Sequence, residues 1–95
     1  MSDSGTVIVH LPPALREFAR GQENVRVQGQ SVREALLALA AEHPLVGTRL
    51  MGPGGELRRH VNLFIGECNV RDLQRLDTRL SAGDTIFVIP AVAGG

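Results

Sequence analysis

Residues 31–44, SVREALLALAAEHP, decide the fold because they encode the clearest helix of the chain. Ser31 and Glu34 have the spacing of a capping box, in which side chains bond the free backbone amides at a helix start. The side chains of one helix face then recur at three- and four-residue spacing; they are Val32, Ala35, Leu36, Leu39, Ala40 and His43. Pro44 and Gly47 are predicted to end the helix and to leave at most a short turn behind them. We therefore expect one main helix that covers one face of a sheet.

Alternating apolar side chains predict two strands before this helix. Residues 6–11 (TVIVHL) and 24–28 (NVRVQ) carry apolar side chains at every second position, as a half-buried strand does. Between them, Pro12 and Pro13 interrupt the first strand, and Gly21 permits a turn. In the first strand, one face carries Val7, Val9 and Leu11 and the other carries Ile8 and His10; in the second, Val25 and Val27 share a face.

Extended segments are also predicted after the helix. Residues 61–65 (VNLFI) alternate in the same way, and residues 66–69 are predicted to form a hairpin turn before a short fourth strand at Val70. Residues 85–89 (TIFVI) form the predicted last strand, which Pro90 ends because proline has no N–H to continue a ladder. The positions predicted to face the core are Val61, Leu63, Ile65, Ile86 and Val88.

The sheet face away from the helix is predicted to stay open to solvent or to a partner, because one helix covers one face. Alternation places Phe64, Phe87 and Ile89 on that face. We predict that they form a docking patch, although scattered exposed aromatic side chains are also common without any function. Arg58 and Arg59 are candidates for gripping acidic residues of a partner, and a solvated pair is an equally good interpretation.

Composition argues against several classes of protein. The chain has 95 residues, 43% of them hydrophobic and 21% charged, which is typical of an ordinary globular domain. Its ten arginines and ten acidic residues are scattered, so no basic surface for nucleic acid is predicted. No apolar run approaches the roughly 18 residues that span a bilayer, and the opening residues MSDSG do not resemble a signal peptide. We expect a cytoplasmic protein with neither nucleic acid nor membrane as a partner.

Candidate chemistry inside the domain is sparse. His10, His43 and His60 are far apart in the sequence and Cys68 has no second thiol beside it, so no metal site is predicted. The lone cysteine also suits a reducing compartment. Residues 52–59 (GPGGELRR) are rich in glycine but lack the ending of a phosphate-binding loop, so they are predicted to be a solvated loop. No bound cofactor is predicted, and the end of the sequence becomes the candidate working part.

Residues 80–95, LSAGDTIFVIPAVAGG, resemble the C-terminal signature of the ubiquitin-like sulfur carriers of the ThiS/MoaD family. In that signature a Gly-Asp turn precedes an apolar strand, a proline and Gly-Gly. The order of predicted elements also resembles the family's β-grasp fold. The resemblance implies an α+β protein, with a mixed sheet of four to five strands packed on one main helix. Residues 1–90 are then a single domain and residues 91–95 a flexible reactive tail.

The same resemblance implies a carrier protein and not an enzyme. An ATP-dependent, E1-like enzyme would adenylate the carboxylate of Gly95, and sulfur would replace the adenylate to give a thiocarboxylate. The rest of the reactive tail would be Gly94, Ala93 and Val92. Residues 49–65 (RLMGPGGELRRHVNLFI) and the closing PAVAGG are most similar to the carriers of a cysteine-forming pathway. The implied partners are therefore a cysteine-synthase-like enzyme that accepts the sulfur and a zinc peptidase that releases the product.

Other functions remain open at this point. The family also contains carriers for molybdopterin and the thiamin thiazole, and a carrier for a sulfur-containing secondary metabolite would look the same. A ubiquitin-like protein modifier would instead join its terminus to lysines of target proteins. A plain binding module, with a tail that has no role, is a further alternative.

The tail residues suit the carrier chemistry on physical grounds. Gly94 and Gly95 lack Cβ atoms, so they can enter a narrow channel at nearly any backbone conformation. Residues 91–95 reach about 17 Å when extended, so the domain can dock outside an active site while its tip reacts inside. The chain also has no lysine. Codon bias toward arginine explains this, and the alternative is that the protein offers its own activated terminus no ε-amine.

Overall fold

The computed structural model describes residues 5–90, which form a five-stranded sheet with the main helix packed on one face. In chain order the elements are β1 (Thr6–His10), α1 (Pro13–Arg16), β2 (Asn24–Gln28), α2 (Val32–Glu42), α3 (Pro44–Leu50), β3 (Val61–Ile65), β4 (Cys68–Asn69) and β5 (Thr85–Pro90). Short 3-10 turns lie at Glu17–Ala19, Val70–Asp72 and Arg75–Asp77.

The sheet is mixed, with the strand order β2-β1-β5-β3-β4. Strands β1 and β5 are parallel, and the other neighbouring pairs are antiparallel. The last strand, β5, therefore lies in the centre of the sheet, while β2 and β4 form its edges. This is the predicted mixed sheet on one main helix. The predicted boundary between a domain and a tail, at residue 90, coincides with the limit of the described residues and stays a prediction.

The start of α2 is capped by the predicted pair Ser31 and Glu34, with the carboxylate of Glu34 on the amide of Gln30 and not on that of Ser31. The N–H of Glu34 donates to Oγ of Ser31 at 3.2 Å, and Oε1 of Glu34 accepts from the N–H of Gln30 at 2.9 Å. Beyond this cap, α2 buries Val32, Ala35, Leu36 and Leu39. These are four of the six residues predicted to share one helix face. Of the other two, His43 is also buried and Ala40 is only half-buried.

The positions of β3 and β5 predicted to face the core are buried, with one partial exception, and so are the residues predicted to share one face of β1 and of β2. The buried set is Val7, Val9, Leu11, Val25, Val27, Val61, Leu63, Ile86 and Val88. The exception is Ile65, which is only partly buried against the core. It is the last residue of β3, and its neighbouring strand β4 is only two residues long, so little covers it.

The prediction that Gly47 ends the main helix is wrong. The break falls at His43, with φ −133° and ψ 78°, and a second helix, α3, begins at Pro44 and runs through Gly47. Gly47 is buried in α3, and a Cβ atom built there would lie 2.4 Å from Cβ of Ala40. Glycine is therefore required at this position because α2 and α3 approach each other closely, and not because a turn is needed.

Two connecting segments also differ from their predictions. The hairpin turn is shorter than predicted, because residues 68–69 already form strand β4. Val70, the predicted start of the fourth strand, is instead buried in a 3-10 turn. The segment between β1 and β2 contains the helical turn α1, where only an interruption was predicted. A two-residue strand and a four-residue helix are too short to show a period in the sequence.

Candidate functional site

One row of residues crosses the open face of the sheet from edge to edge. Each neighbouring pair is in register between adjacent strands, and the row runs Asn24, His10, Phe87, Phe64, Asn69. We call these five residues the central row. The two phenylalanines are direct cross-strand partners at the middle of the sheet, and an asparagine lies at each edge. The row therefore presents an apolar centre with polar ends.

The predicted orientation of the apolar residues on this face is confirmed. Phe87 is 38% exposed, and Ile89, two residues further along β5, is 45% exposed. Phe64 lies on the same face and is less exposed than Phe87. It is half-buried because Phe87 and Asn69 lie on either side of it. The docking role of these residues stays a prediction.

His10 is a member of the central row that the sequence did not single out. The centroids of the His10 and Phe87 rings are 5.3 Å apart, with the ring planes at 50°. Nδ1 of His10 lies 2.9 Å from Oδ1 of Asn24, and Nε2 lies 3.8 Å from a carboxylate oxygen of Glu23. The available signal was that His10 alternates onto the same face as Ile8. The parallel pairing that brings it against Phe87 is not visible in the pattern of β1 alone.

The root of the tail is the end of β5. Pro90 is the last residue of the strand and the register partner of Val61, while Ile89 is the partner of Asn62. Because β5 is the central strand, its end lies in the middle of one edge of the molecule. The residues predicted to react lie outside the described residues, and their roles stay predictions; they are Val92, Ala93, Gly94 and Gly95.

Arg58 and Arg59 lie just before β3, next to the root of the tail. Nε of Arg58 donates to the carbonyl oxygen of Thr48 at 2.8 Å, so part of this guanidinium is used within the chain. Arg59 is exposed. Contact with an acidic partner stays a prediction for both, and the geometry favours Arg59 for it.

Arg71 is a second residue that the sequence did not single out. It lies on the 3-10 turn after β4, and its guanidinium donates to backbone carbonyl oxygens of the segment that leads into β3. Nothing in the sequence distinguishes it from the other nine arginines, because the contact joins two segments that are separate along the chain.

The other chemistry of the described residues is limited. Residues 5–90 contain no group of three or more His, Cys, Asp or Glu side chains that could hold a metal ion. Cys68 is an exposed free thiol on β4. In this same part of the chain, none of the helices has the length and apolar character needed to cross a membrane. What these residues offer is an exposed apolar surface next to the root of the tail.

The sequence from β1 to its end matches a known family. The ThiS family model covers residues 9–95. The chain belongs to the ThiS family. CysO, the sulfur carrier protein of Mycobacterium tuberculosis, is 35% identical over 91 residues, which cover 94% of this chain and 98% of CysO. The predicted resemblance to the ThiS/MoaD sulfur carriers is thereby confirmed, and the cysteine-forming pathway stays a prediction.

Solved structures of ThiS-family relatives confirm the β-grasp fold. A chain of the BexX/CysO complex from Amycolatopsis orientalis superposes with a TM-score of 0.86 at 31% identity, covering 94% of this chain and 99% of that one. Small archaeal modifier protein 1 of Haloferax volcanii superposes with a TM-score of 0.80 at 33% identity, covering 96% and 100%. These relatives are thus a sulfur carrier protein and a small archaeal modifier protein.

Proposed function

We propose that this member of the ThiS family carries sulfur as a thiocarboxylate on Gly95. The observation that carries the proposal is the 35% identity to CysO over 91 residues, which span nearly all of both proteins. The family match also extends through Gly94 and Gly95 to residue 95. A binding module with an unrelated tail would not require a match of this extent.

The chemistry needs two steps at the carboxylate of Gly95. A carboxylate is a poor electrophile, so an E1-like enzyme first joins it to AMP from ATP and releases pyrophosphate. A hydrosulfide ion then attacks the carbonyl carbon, the new C–S bond forms, AMP leaves with the electrons of the broken C–O bond, and loss of the S–H proton leaves the thiocarboxylate. The resulting thiocarboxylate is itself a nucleophile that can attack the substrate of a second enzyme. The chain binds no cofactor of its own in this scheme, because ATP belongs to the activating enzyme.

The open face of the sheet supports the docking part of the proposal. An activating enzyme has to hold the domain while the tail occupies its active site, and exposed apolar side chains beside the root of the tail are suited to that contact. Phe87 and Ile89 provide them on β5, the strand that leads into the tail. The BexX/CysO complex supports partner binding in general, since a chain of that complex resembles this one at a TM-score of 0.86.

We assign the sulfur to cysteine assembly, again by likeness to CysO. The acceptor would be a cysteine-synthase-like enzyme acting on an activated serine derivative, and a zinc peptidase would release the product from the carrier. Delivery to molybdopterin, to the thiamin thiazole or to a secondary metabolite is the alternative within the carrier class. An exposed thiol at Cys68 suits a reducing cytoplasm, where we place the protein.

The direct test is the intact mass of the protein purified from its own host. A thiocarboxylate makes it heavier by the mass difference between sulfur and oxygen, and deletion of Gly95 removes the increase. The control is Cys68→Ser, which separates sulfur on Gly95 from sulfur on the thiol. A persulfide on Cys68 would add the mass of a whole sulfur atom and would be lost in this variant, whereas the increase from the thiocarboxylate would persist. A wild-type protein that carries no such mass increase, even after incubation with the host's activating enzyme, ATP and a sulfur donor, would contradict the proposal.

Protein modification is the second candidate, because Small archaeal modifier protein 1 is 33% identical over 78 residues, covering 79% of this chain and 85% of that protein. A modifier forms isopeptide bonds with many targets, whereas a carrier stays free. Immunoblots of host extract separate the two. A ladder of products that disappears on deletion of Gly94 and Gly95 supports modification, and one band at the mass of the free chain supports the carrier.

A further inference from the structure

The side chain of Arg71 forms hydrogen bonds at the end of the sheet where the tail begins. Nη2 of Arg71 donates to the carbonyl oxygens of Val61 at 2.7 Å and Arg58 at 2.8 Å, with a longer contact of 3.4 Å to that of Arg59. Nε of Arg71 donates to Oδ1 of Asn62 at 3.3 Å. A single guanidinium therefore binds four acceptors on the segment that leads into and begins β3.

Arg71 is itself held in place by its neighbours. Its N–H donates to Oδ1 of Asn69 at 2.9 Å, and Nδ2 of Asn69 donates to the same Asn62 oxygen at 3.4 Å. The preceding residue, Val70, is fully buried in the core. The planar guanidinium thus starts from an anchored backbone, and its fixed set of donors can reach several acceptors at once.

The segment that Arg71 holds lacks one backbone donor from β5. Val61 is the register partner of Pro90, which has no N–H to donate across the sheet. The N–H of Val61 donates instead to the carbonyl oxygen of Arg58, at 3.1 Å. Bonds from Arg71 therefore stabilise the beginning of β3 at the point where the proline on β5 contributes no N–H donor.

We propose that Arg71 is a positioning residue for the tail, acting through β3 on the last two residues of β5. Val61 and Asn62 are the partners of Pro90 and Ile89, and these two residues fix the direction of the chain at the end of β5. The inference rests on the proposed function, because the direction of the tail matters only if its tip has to reach an active site.

Docking and delivery are separate tasks in this arrangement. The exposed residues Phe87 and Ile89 bind the activating enzyme, while Arg71 controls how the tail points once the domain is bound. Loss of Arg71 should therefore leave the affinity for the enzyme unchanged. It should lower the rate at which the bound protein is adenylated. A misplacement of a reacting group by about 1 Å can cost on the order of 100-fold in rate, so a tenfold fall is a modest expectation.

The experiment compares Arg71→Lys with Arg79→Lys, which makes the same chemical change at an exposed arginine. Lysine keeps the charge but offers one ammonium in place of the guanidinium fork. ATP–pyrophosphate exchange with the host's activating enzyme gives kcat and KM, calorimetric titration gives the docking affinity, and both are measured well below the melting temperature of each variant. We expect kcat to fall at least about tenfold for Arg71→Lys, with unchanged docking affinity, and no change in either quantity for Arg79→Lys.

A second readout needs no enzyme. The backbone order parameters of Ile89 and Asn62, from NMR relaxation, should fall in Arg71→Lys and stay at the wild-type value in Arg79→Lys. Unchanged order parameters would overturn the positioning role. A lowered melting temperature with wild-type kcat would also overturn it, since that result shows a stabilising role alone. Failure of the wild-type protein to support exchange would count against the proposed function, while the order parameters would still decide the role of Arg71.

Discussion

The two faces of the sheet differ in what covers them, although the same strands build both. On β5, Ile86 and Val88 are 0% and 3% exposed under the helices, while the alternate residues Phe87 and Ile89 are 38% and 45% exposed. Neighbouring residues of one strand are therefore predicted to have different tasks, stability on the helix face and recognition on the open face. If the division is real, substitutions on one face should change the free energy of unfolding, and those on the other should change binding.

The largest expected effect is on the helix face. Leu36 and Leu39 of α2 are both 0% exposed, so Leu36→Ala or Leu39→Ala leaves a cavity between the helix and the sheet. Each should lower the free energy of unfolding by about 2 to 5 kcal/mol, as measured by urea denaturation. This is a large share of the stability of a domain of this size.

Leu37→Ala is the matched control, because Leu37 lies between these two residues in the sequence and is 54% exposed. It should change the free energy of unfolding by less than about 0.5 kcal/mol. Equal losses at all three leucines would show that the covered side of α2 has been misassigned.

A smaller loss is expected at the contact between α2 and α3. In an ordinary helix, Gly→Ala stabilises by about 1 kcal/mol because alanine has the higher helix propensity. Gly47→Ala should instead destabilise, by about 1 to 3 kcal/mol, because the added methyl group overpacks the interior. Its Cβ atom would lie 2.4 Å from Cβ of Ala40.

The double variant Ala40→Gly with Gly47→Ala tests the cause. Exchanging the two residues removes the 2.4 Å contact and leaves one of 3.1 Å to Cα of residue 40, so part of the loss at Gly47→Ala should be recovered in the melting temperature. A Gly47→Ala protein more stable than wild type would mean that the helices are further apart and that glycine is not required there.

Gly47 also shows where prediction of the fold from sequence stops. The main helix and the strand faces were predicted correctly, because a half-buried element displays its period in its own residues. The helix α3 was missed, because a glycine after a proline is typical of a helix end. That local rule is overridden here by the close packing of Gly47 on Ala40, which depends on two segments meeting in space.

The candidate site was also predicted only in part from the sequence. Alternation alone placed Phe64, Phe87 and Ile89 on the open face, and the structure agrees. His10 and Arg71 were not predicted to belong to the site. Each joins it through a contact between segments far apart along the chain, at 5.3 Å between the His10 and Phe87 rings and at 2.7 Å from Arg71 to the carbonyl oxygen of Val61. A pattern within one element carries no information about its neighbours in space.

On the open face, the expected effect appears in binding. Phe87→Ala should weaken binding of the activating enzyme by at least about 1 kcal/mol, because truncation removes an apolar anchor from the interface. The protein should stay folded, since the Phe87 side chain is 38% exposed and fills little of the core. Calorimetric titration and a melting curve on the same sample give both quantities.

Leu37→Ala again provides the control, as an exposed apolar residue on the helix side of the molecule. It should leave the affinity for the enzyme unchanged. Wild-type affinity for Phe87→Ala, together with a collapsed melting curve, would contradict the division of tasks between the two faces.

The smallest effect concerns the contact between His10 and Phe87 within the central row. Their rings are 5.3 Å apart and tilted by 50°, on neighbouring parallel strands. Cross-strand pairs of this kind contribute about 0.2 to 1 kcal/mol, so a double-mutant cycle of His10→Ala and Phe87→Ala should show a coupling of about 0.5 kcal/mol in the free energy of unfolding.

A cycle of Arg26→Ala and Phe87→Ala is the control. Arg26 lies on β2, with β1 between it and β5, so the two substitutions should be additive. Coupling in the first cycle and additivity in the second would mean that His10 holds the Phe87 ring in place on the open face, so that part of the recognition surface is ordered before any partner binds. Additivity in both would leave Phe87 as an independent side chain, and its ordering would then have to be part of the free energy of docking.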